Sequence, residues 1–340
     1  MFKNKFVYLA LSAAVSIALF WLLFSKIQTE EIIRTLSHIY IPALILYLAV
    51  ALLAAWLRAW RYKWLLRPLP IGWGNILLVT FIRNSLIDLL PARLGSLSFI
   101  YVLNRRLGFP FEAATSTFVT AFVLDFLTIS PFLVTAILSV GLGANAISNA
   151  GLLAAALLFF LGILAVFWKI VPVARFILGV YQWFLAALKV RGKKFSALSL
   201  DKFELTIRSL AAIRAEKKSL PIFALSLFIR LAKYVSVFAL FCALLRSHGF
   251  ALSDLNFWIF ILGLSGAELT SALPVKGLAG FGTWESAWAL TFRLMSFDTR
   301  LAILSGIGVH LITNLFEYSL GIASILTLAW PFIRRPKGKP

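Results

Sequence analysis

Long apolar runs separated by short basic breaks organise this chain. Residues 6–24 form the first run, flanked by Lys5 and Lys26. The run is too long for a secretory signal core and no small-residue cleavage site follows it, so it reads as a retained span entering from the cytoplasm. Residues 39–57 return inward and lead into RAWRYKWLLR, where Arg58, Arg61, Lys63 and Arg67 mark the cytoplasmic side. Trp56, Trp60 and Trp64 recur every four residues, which places them on one helix face at the membrane interface.

Residues 75–90 are apolar but carry Arg83, Asn84 and Asp88, then break at LLPARLG. A short helix over about 97–107 follows and ends in Arg105 and Arg106. Both ends of this unit are basic, which predicts a hairpin that dips into the membrane from the cytoplasm and returns. Broken backbone at that depth is tolerated only when buried in protein or lining a wet cavity. Residues 114–140 then span outward and 152–171 span back. The stretch 175–219 is the one long polar segment, with ten Lys and Arg against Asp201, Glu204 and Glu216, and is expected to form amphipathic helices on the cytoplasmic surface. Residues 221–245 span outward, 256–273 reach a second break at ALPVKGLAGFGTWES, and a short helix runs to about 294. The final run, 301–333, leads into the basic tail RRPKGKP.

The expected architecture is therefore an all-α polytopic membrane protein with six full spans and two re-entrant helical hairpins. It divides into a membrane half at 1–174 with a hairpin at about 75–107, a basic segment at 175–219, and a second half at 220–340 with a hairpin at about 255–296. The two breaks share Leu-Pro-x-basic, at Leu90 to Arg93 as Leu-Pro-Ala-Arg and at Leu273 to Lys276 as Leu-Pro-Val-Lys, with a glycine close behind. One dips from inside and the other from outside, the arrangement of an inverted repeat, which places substrate sites at broken helices near the midplane. Two ordinary Pro-terminated helices are the alternative.

Composition agrees. The chain is 61% hydrophobic and 14% charged, with a mean hydropathy of +0.93, against about 25% charged residues in soluble domains. The net charge of +20 fits a positive-inside bias rather than nucleic-acid binding, which would need a basic soluble face. Cys242 is the single cysteine and His38, His248 and His310 lie far apart. No nucleophile elbow, phosphate-binding loop or zinc motif is present, so neither metal nor cofactor nor enzymatic activity is expected.

Ten charges fall within or beside apolar runs: Arg83, Asp88, Arg93, Asp125, Arg230, Lys233, Glu268, Lys276, Glu285 and Glu317. Each costs about 3 kcal/mol or more at the bilayer centre unless paired or hydrated. Their equal numbers of each sign make internal pairing feasible. At the breaks, freed backbone N–H groups and the helix dipole favour an anion. Arg93 and Lys276 stand just before the half-helices, and Ser96 and Thr283 are the expected N-caps. The glycine-rich run from Gly277 to Gly282, with Gly280, lets the backbone approach a ligand closely, and Gly95 is a further lipid-binding candidate. His310, Asn314 and Glu317 form a polar stripe on the last span, which Asp125 could face. Structural helix–helix hydrogen bonding and a polar transport path both account for that stripe.

The strings N-x6-P-x-R-x-G at Asn84, Pro91, Arg93 and Gly95, and G-x-G-x-x-E at Gly280, Gly282 and Glu285, resemble the lysylphosphatidylglycerol synthase transmembrane-region family of flippase-like proteins, over essentially the whole chain. Ser96 stands where the family commonly has a glutamate, and Ala121 and Phe122 where an acidic–basic pair often precedes the aspartate. The resemblance implies a module that moves a lipid between leaflets, while a separate soluble domain makes that lipid. The expected partners are an anionic membrane lipid, a lipid-modifying synthase or glycosyltransferase, and a second copy of the chain. The expected location is a bacterial-type inner membrane with both termini cytoplasmic. A membrane subunit that recruits an enzyme through 175–219 is the rival reading.

Cysteines introduced at Ser148 and His248 should react with an impermeant maleimide from outside, and those at Ala197 and Lys337 should not. Outside labelling at 197 would overturn the parity of every later segment.

Overall fold

A computed structural model describes residues 17–19, 21, 23, 25, 27–87, 89, 91–140, 146–188, 194–215, 219–270 and 280–333. Every regular element among them is helical. Five stretches are long and apolar enough to cross a membrane: Ile41–Leu65, Phe111–Val140, Ile170–Ala187, Ser219–His248 and Thr299–Ala329. Four of these coincide with expected spans. The expected first span, 6–24, lies largely outside the described residues, and 152–171 corresponds to the shorter apolar helix Leu153–Trp168.

In chain order the helices are α1 (Thr29–Ser37), α2 (Ile41–Leu65), α3 (Trp73–Leu86), α4 (Ser98–Tyr101), α5 (Phe111–Leu127), α6 (Ile129–Val140), α7 (Ala146–Trp168), α8 (Ile170–Ala187), α9 (Lys194–Ala215), α10 (Ser219–Leu245), α11 (Phe257–Thr270), α12 (Thr283–Leu294) and α13 (Thr299–Ile333). A 3-10 turn, Pro91–Leu97, precedes α4 and a π turn, Val102–Arg106, extends it. Helices α3 and α11 have 14 residues each and α12 has 12. At 1.5 Å per residue none covers the roughly 30 Å of a hydrocarbon core. The chain therefore contains two helix–break–helix units, α3 with α4 and α11 with α12, and within each the limbs pack together.

The backbone of the bundle is the pairing of α2 with α10, the most extensive in the fold. Apolar packing falls into two clusters. One gathers Tyr47, Tyr234, Phe241, Phe260, Trp288, Phe292 and Ile303 from α2, α10, α11, α12 and α13. The other gathers Tyr62, Ile76, Phe99, Leu103, Leu124 and Ile222 from α2, α3, α4, α5 and α10. Along α2 the first cluster takes Tyr47 and the second starts at Ala59; along α10 the second takes Ile222 and the first starts at Tyr234. The polar cavity described below occupies the interval between them.

Close helix approach relies on glycine. A Cβ at Gly263 of α11 would stand 2.0 Å from the Phe292 ring of α12, and one at Gly321 of α13 would stand 2.0 Å from Ser85 Oγ of α3. Small residues at contacts are how helices pack tightly without a hydrophobic driving force in lipid. Gly95 is tighter still, its Cβ position lying 1.5 Å from the Leu86 carbonyl oxygen. The first break therefore folds back on the end of α3, and Gly95 is required for that packing.

Helix α8 runs continuously through positions 174 and 175. Ile170 sits with Leu65, Thr120 and Ile213. Further along, the Tyr181 hydroxyl meets Ser199 Oγ at 3.0 Å and its ring stacks on Phe203 of α9. Lys202 in turn covers the ring of Phe111, the first residue of α5. Helix α9 thus packs along α5, and α8 packs against α9. Residues 189–193 lie outside the described set. Arg300 Nε donates to Glu31 Oε2 at 2.9 Å and Thr35 Oγ1 meets His248 Nε2 at 2.9 Å, tying α1 to α13 and to the end of α10. The Gln28 backbone N–H and the Arg300 guanidinium hold the Glu31 carboxyl below its usual range.

Gly95→Ala should cost about 1–3 kcal/mol through overpacking against a carbonyl that no rotamer change can move aside. Gly151→Ala, where nothing lies within 4 Å, should be neutral or slightly stabilising. Thermal unfolding of the detergent-solubilised protein measures both, and equal transition temperatures would refute the packing role of Gly95.

Candidate functional site

Between the two apolar clusters lies a cavity of about 190 Å³, walled by α2, α3, α5, α10, α11, α12 and α13. Seven charged side chains line it, at positions where each helix is otherwise apolar. Arg58 enters from α2, Arg83 and Asn84 from α3, Asp125 from α5, Arg230 and Lys233 from α10, Glu268 from α11, and His310, Asn314 and Glu317 from α13.

Asp125 is the hub. Arg61, with no exposed side-chain surface, places Nη2 at 2.8 Å from Asp125 Oδ1 and donates Nη1 to Ser226 Oγ of α10 at 3.0 Å. Arg83 Nη2 stands 3.6 Å from Asp125 Oδ2, and Arg230 donates Nη2 to the Asp125 backbone carbonyl. Asn84 Oδ1 accepts from Arg58 Nη1 at 2.7 Å and from Arg83 Nη1 at 3.3 Å. A second group centres on Glu268, whose carboxylate meets Arg230 Nη1 at 3.2 Å and Lys233 Nζ at 2.6 Å. Pairing of this kind is what permits charge in an apolar bundle.

A third group lies where the second break enters α12. Gly280 and Gly282 adopt positive φ, 83° and 85°, which only glycine takes without strain. Glu285, fully buried, accepts the Gly282 backbone N–H on Oε2 at 2.8 Å and meets His310 Nδ1 with Oε1 at 2.6 Å. The His310 ring packs against Phe281 at 4.6 Å and stacks on Trp284 at 4.8 Å. Glu285 thereby locks the start of α12 to α13, with both of its oxygens engaged.

The cavity brings together Arg83, Asn84, Asp125, Arg230, Lys233, Glu268, His310, Asn314 and Glu317 from the sequence-derived candidates, and Glu285 stands behind His310. Arg230 and Lys233 share Glu268 instead of snorkelling to an interface. Ser96 is buried within the 3-10 turn, and the N-cap of α4 is Leu97. Thr283 is the first residue of α12 behind the cap Gly282, and its hydroxyl donates to the Gly280 carbonyl at 2.9 Å. Both N-cap assignments are thus corrected: the cap Leu97 makes no side-chain cap hydrogen bond, and at the second break Glu285 reaches back to the Gly282 N–H. Asp88, Lys276 and the Arg93 side chain lie outside the described residues.

Arg58 and Arg61 are site residues that charge counting assigned to the cytoplasmic flank. They point inward. The signal was the stripe Tyr47, Ala51, Ala54, Arg58, Arg61 and Leu65, spaced four and three, which is one buried helix face opposite the exposed Trp56 and Trp60. Among the described residues no group of three or more His, Cys, Asp or Glu could hold a metal ion.

The chain matches the family described as lysylphosphatidylglycerol synthase TM region over residues 9–321, and it belongs to that family. It is a multi-pass membrane protein linked by that family to lipid handling. Comparison with curated proteins finds no match.

Asp125→Asn should be severe, because it leaves Arg61 buried without a counter-charge, a change worth roughly 3–5 kcal/mol. Arg61→Met combined with Asp125→Asn should recover part of that loss. If the single and double variants unfold at the same temperature, the pair is not the hub of the fold.

Proposed function

We propose that this member of the lysylphosphatidylglycerol synthase transmembrane-region family binds an anionic-headgroup lipid in its central cavity and carries it between leaflets. The observation that supports this reading best is the cluster of Arg58, Arg83 and Arg230 around a cavity, where packing alone would favour apolar side chains. Cations at such depth in lipid mark ligand or ion paths by default. The cavity is below the roughly 300–1,000 Å³ of drug-sized pockets, so it suits a headgroup while the acyl chains remain in lipid.

In this reading the two helix–break–helix units are re-entrant hairpins of an inverted repeat, opening to opposite faces. Arg93 and Lys276, one at each break, receive the headgroup from either leaflet and pass it to the arginine cluster. The protein is a transporter rather than an enzyme, with both termini in the cytoplasm of a bacterial-type cell. A recruiting subunit is the second reading. It is supported by the exposed Phe176, Trp183 and Phe184 of α8, which a membrane surface or an associated synthase or glycosyltransferase could cover.

In vesicles holding only this protein, a labelled anionic phospholipid should exchange leaflets faster than in empty vesicles, and a zwitterionic one less so. Arg58→Gln and Arg83→Gln should each slow exchange about tenfold, the size of one charged hydrogen bond. Absence of exchange for every lipid, together with a synthase or glycosyltransferase that co-purifies through 175–219, would replace the transporter with the recruiting subunit.

A further inference from the structure

We infer that the headgroup this cavity takes is a phosphomonoester, a terminal phosphate on a lipid, rather than a phosphodiester; this rests on the lipid-handling role proposed above. The inference comes from an imbalance of charge that the described residues locate. Arg58, Arg61, Arg83, Arg230 and Lys233 surround the cavity or its hub, against the carboxylates of Asp125, Glu268 and Glu317. Glu285 is not part of the cavity lining and stands behind His310. Two positive charges remain in excess among the described residues. Guanidinium groups do not deprotonate in proteins, so the arginines cannot shed the surplus.

Geometry places the surplus at one wall. Arg61 has Asp125 at 2.8 Å, and Arg230 and Lys233 share Glu268. Arg83 stands 3.6 Å from Asp125, and Arg58 donates to the neutral Asn84. Arg58 Nε and Arg83 Nε are both buried without a hydrogen-bond partner, and so is Asn314 Nδ2 on the α13 side of the same cavity. Buried donors of this kind call for an acceptor. Two guanidinium forks with open Nε donors suit a group with several equivalent oxygens.

A phosphodiester brings one negative charge and a second substituent that must also be housed. A phosphomonoester brings close to two charges at neutral pH, with a second pKa of about 6, and three terminal acceptor oxygens. It answers both the charge excess and the roughly 190 Å³ of space. Asp125 is already committed to Arg61, so the incoming phosphate completes Arg58 and Arg83 without dismantling the hub.

The test uses the purified full-length chain in nanodiscs of zwitterionic lipid, with phosphatidate and phosphatidylglycerol of identical acyl chains competing for binding, read by native mass spectrometry. Phosphatidate should be preferred about tenfold or more at pH 8, and the preference should shrink several-fold by pH 5.5 as the monoester takes up its second proton. His310, Glu285, Asp125, Glu268, Glu317 and Lys233 also face this region, so the pH dependence of phosphatidylglycerol binding, whose single charge is constant over this range, is measured alongside as the report on the protein's own groups. Arg58→Gln and Arg83→Gln should each reduce the preference, while Ser253→Ala, on an exposed turn, should leave it unchanged. Equal binding of the two lipids at both pH values would overturn the phosphomonoester assignment and leave the lipid-handling role standing. Failure to bind either lipid would overturn both. Inorganic phosphate that displaces phosphatidate at equal concentration would assign the site to a free anion and overturn the lipid part.

Discussion

An arginine without exposed surface in an apolar bundle must be given its partners by the fold, and Arg61 is that arginine here. Its guanidinium joins α2 to α5 through Asp125 and to α10 through Ser226. Breaking a buried pair from one side is far more costly than the pair is worth when whole. The relative positions of α2, α5 and α10 are therefore constrained more tightly than apolar packing alone would constrain them. The α2–α10 pairing and the cavity beside it both follow from that constraint.

The two apolar clusters then have separate tasks. One holds the α11–α12 unit against α10 and α13 through Phe241, Phe260, Trp288 and Phe292. The other holds the first break and α4 against α2 and α5 through Tyr62, Phe99 and Leu103. Half-length helices can exist in this setting because their ends are covered by protein instead of lipid. Glycine-mediated contacts at Gly95, Gly263 and Gly321 bring backbones close enough for that cover. The polar cavity sits between the two clusters, with Tyr47, Val237, Leu264 and Val309 of the first forming part of its wall.

Much of this was legible from apolar run length, because lipid leaves helices few alternatives. The stripe His310, Asn314 and Glu317 and its counterpart Asp125 were visible as polar residues where none should be, and they do line one cavity. Arg58 and Arg61 were missed because a basic cluster at the end of an apolar run has two readings, an interface flank or a buried face. Only the four-and-three spacing with Tyr47, Ala51 and Ala54 separates them. The Glu285–His310 lock, between residues 25 positions apart in sequence, depends on how α12 meets α13, which no local pattern encodes. Gly95 was visible only as part of a motif, and its tight approach to the chain's own Leu86 carbonyl depends on how the break folds back. Helix α8 was hidden because Arg175 interrupts a run that its length and remaining composition make helical.

The two acceptors of the arginine cluster differ in kind, and that difference bears on the proposed role. Asp125 makes a charged contact with Arg61 at 2.8 Å, whereas Asn84 offers a neutral carbonyl oxygen to both Arg58 and Arg83. Both are charge-assisted through the guanidinium, but an anionic oxygen adds a Coulomb attraction that a neutral amide oxygen lacks. Exchanging the Asn84 contact for a phosphate oxygen therefore exchanges a weaker bond for a stronger one, while exchanging the Asp125 contact would gain little and loosen the hub. An aspartate at position 84 would halve the surplus and hold Arg58 and Arg83 more firmly. An amide there keeps the two guanidinium groups in place and still available, which is what a site that must both take and release an anion requires.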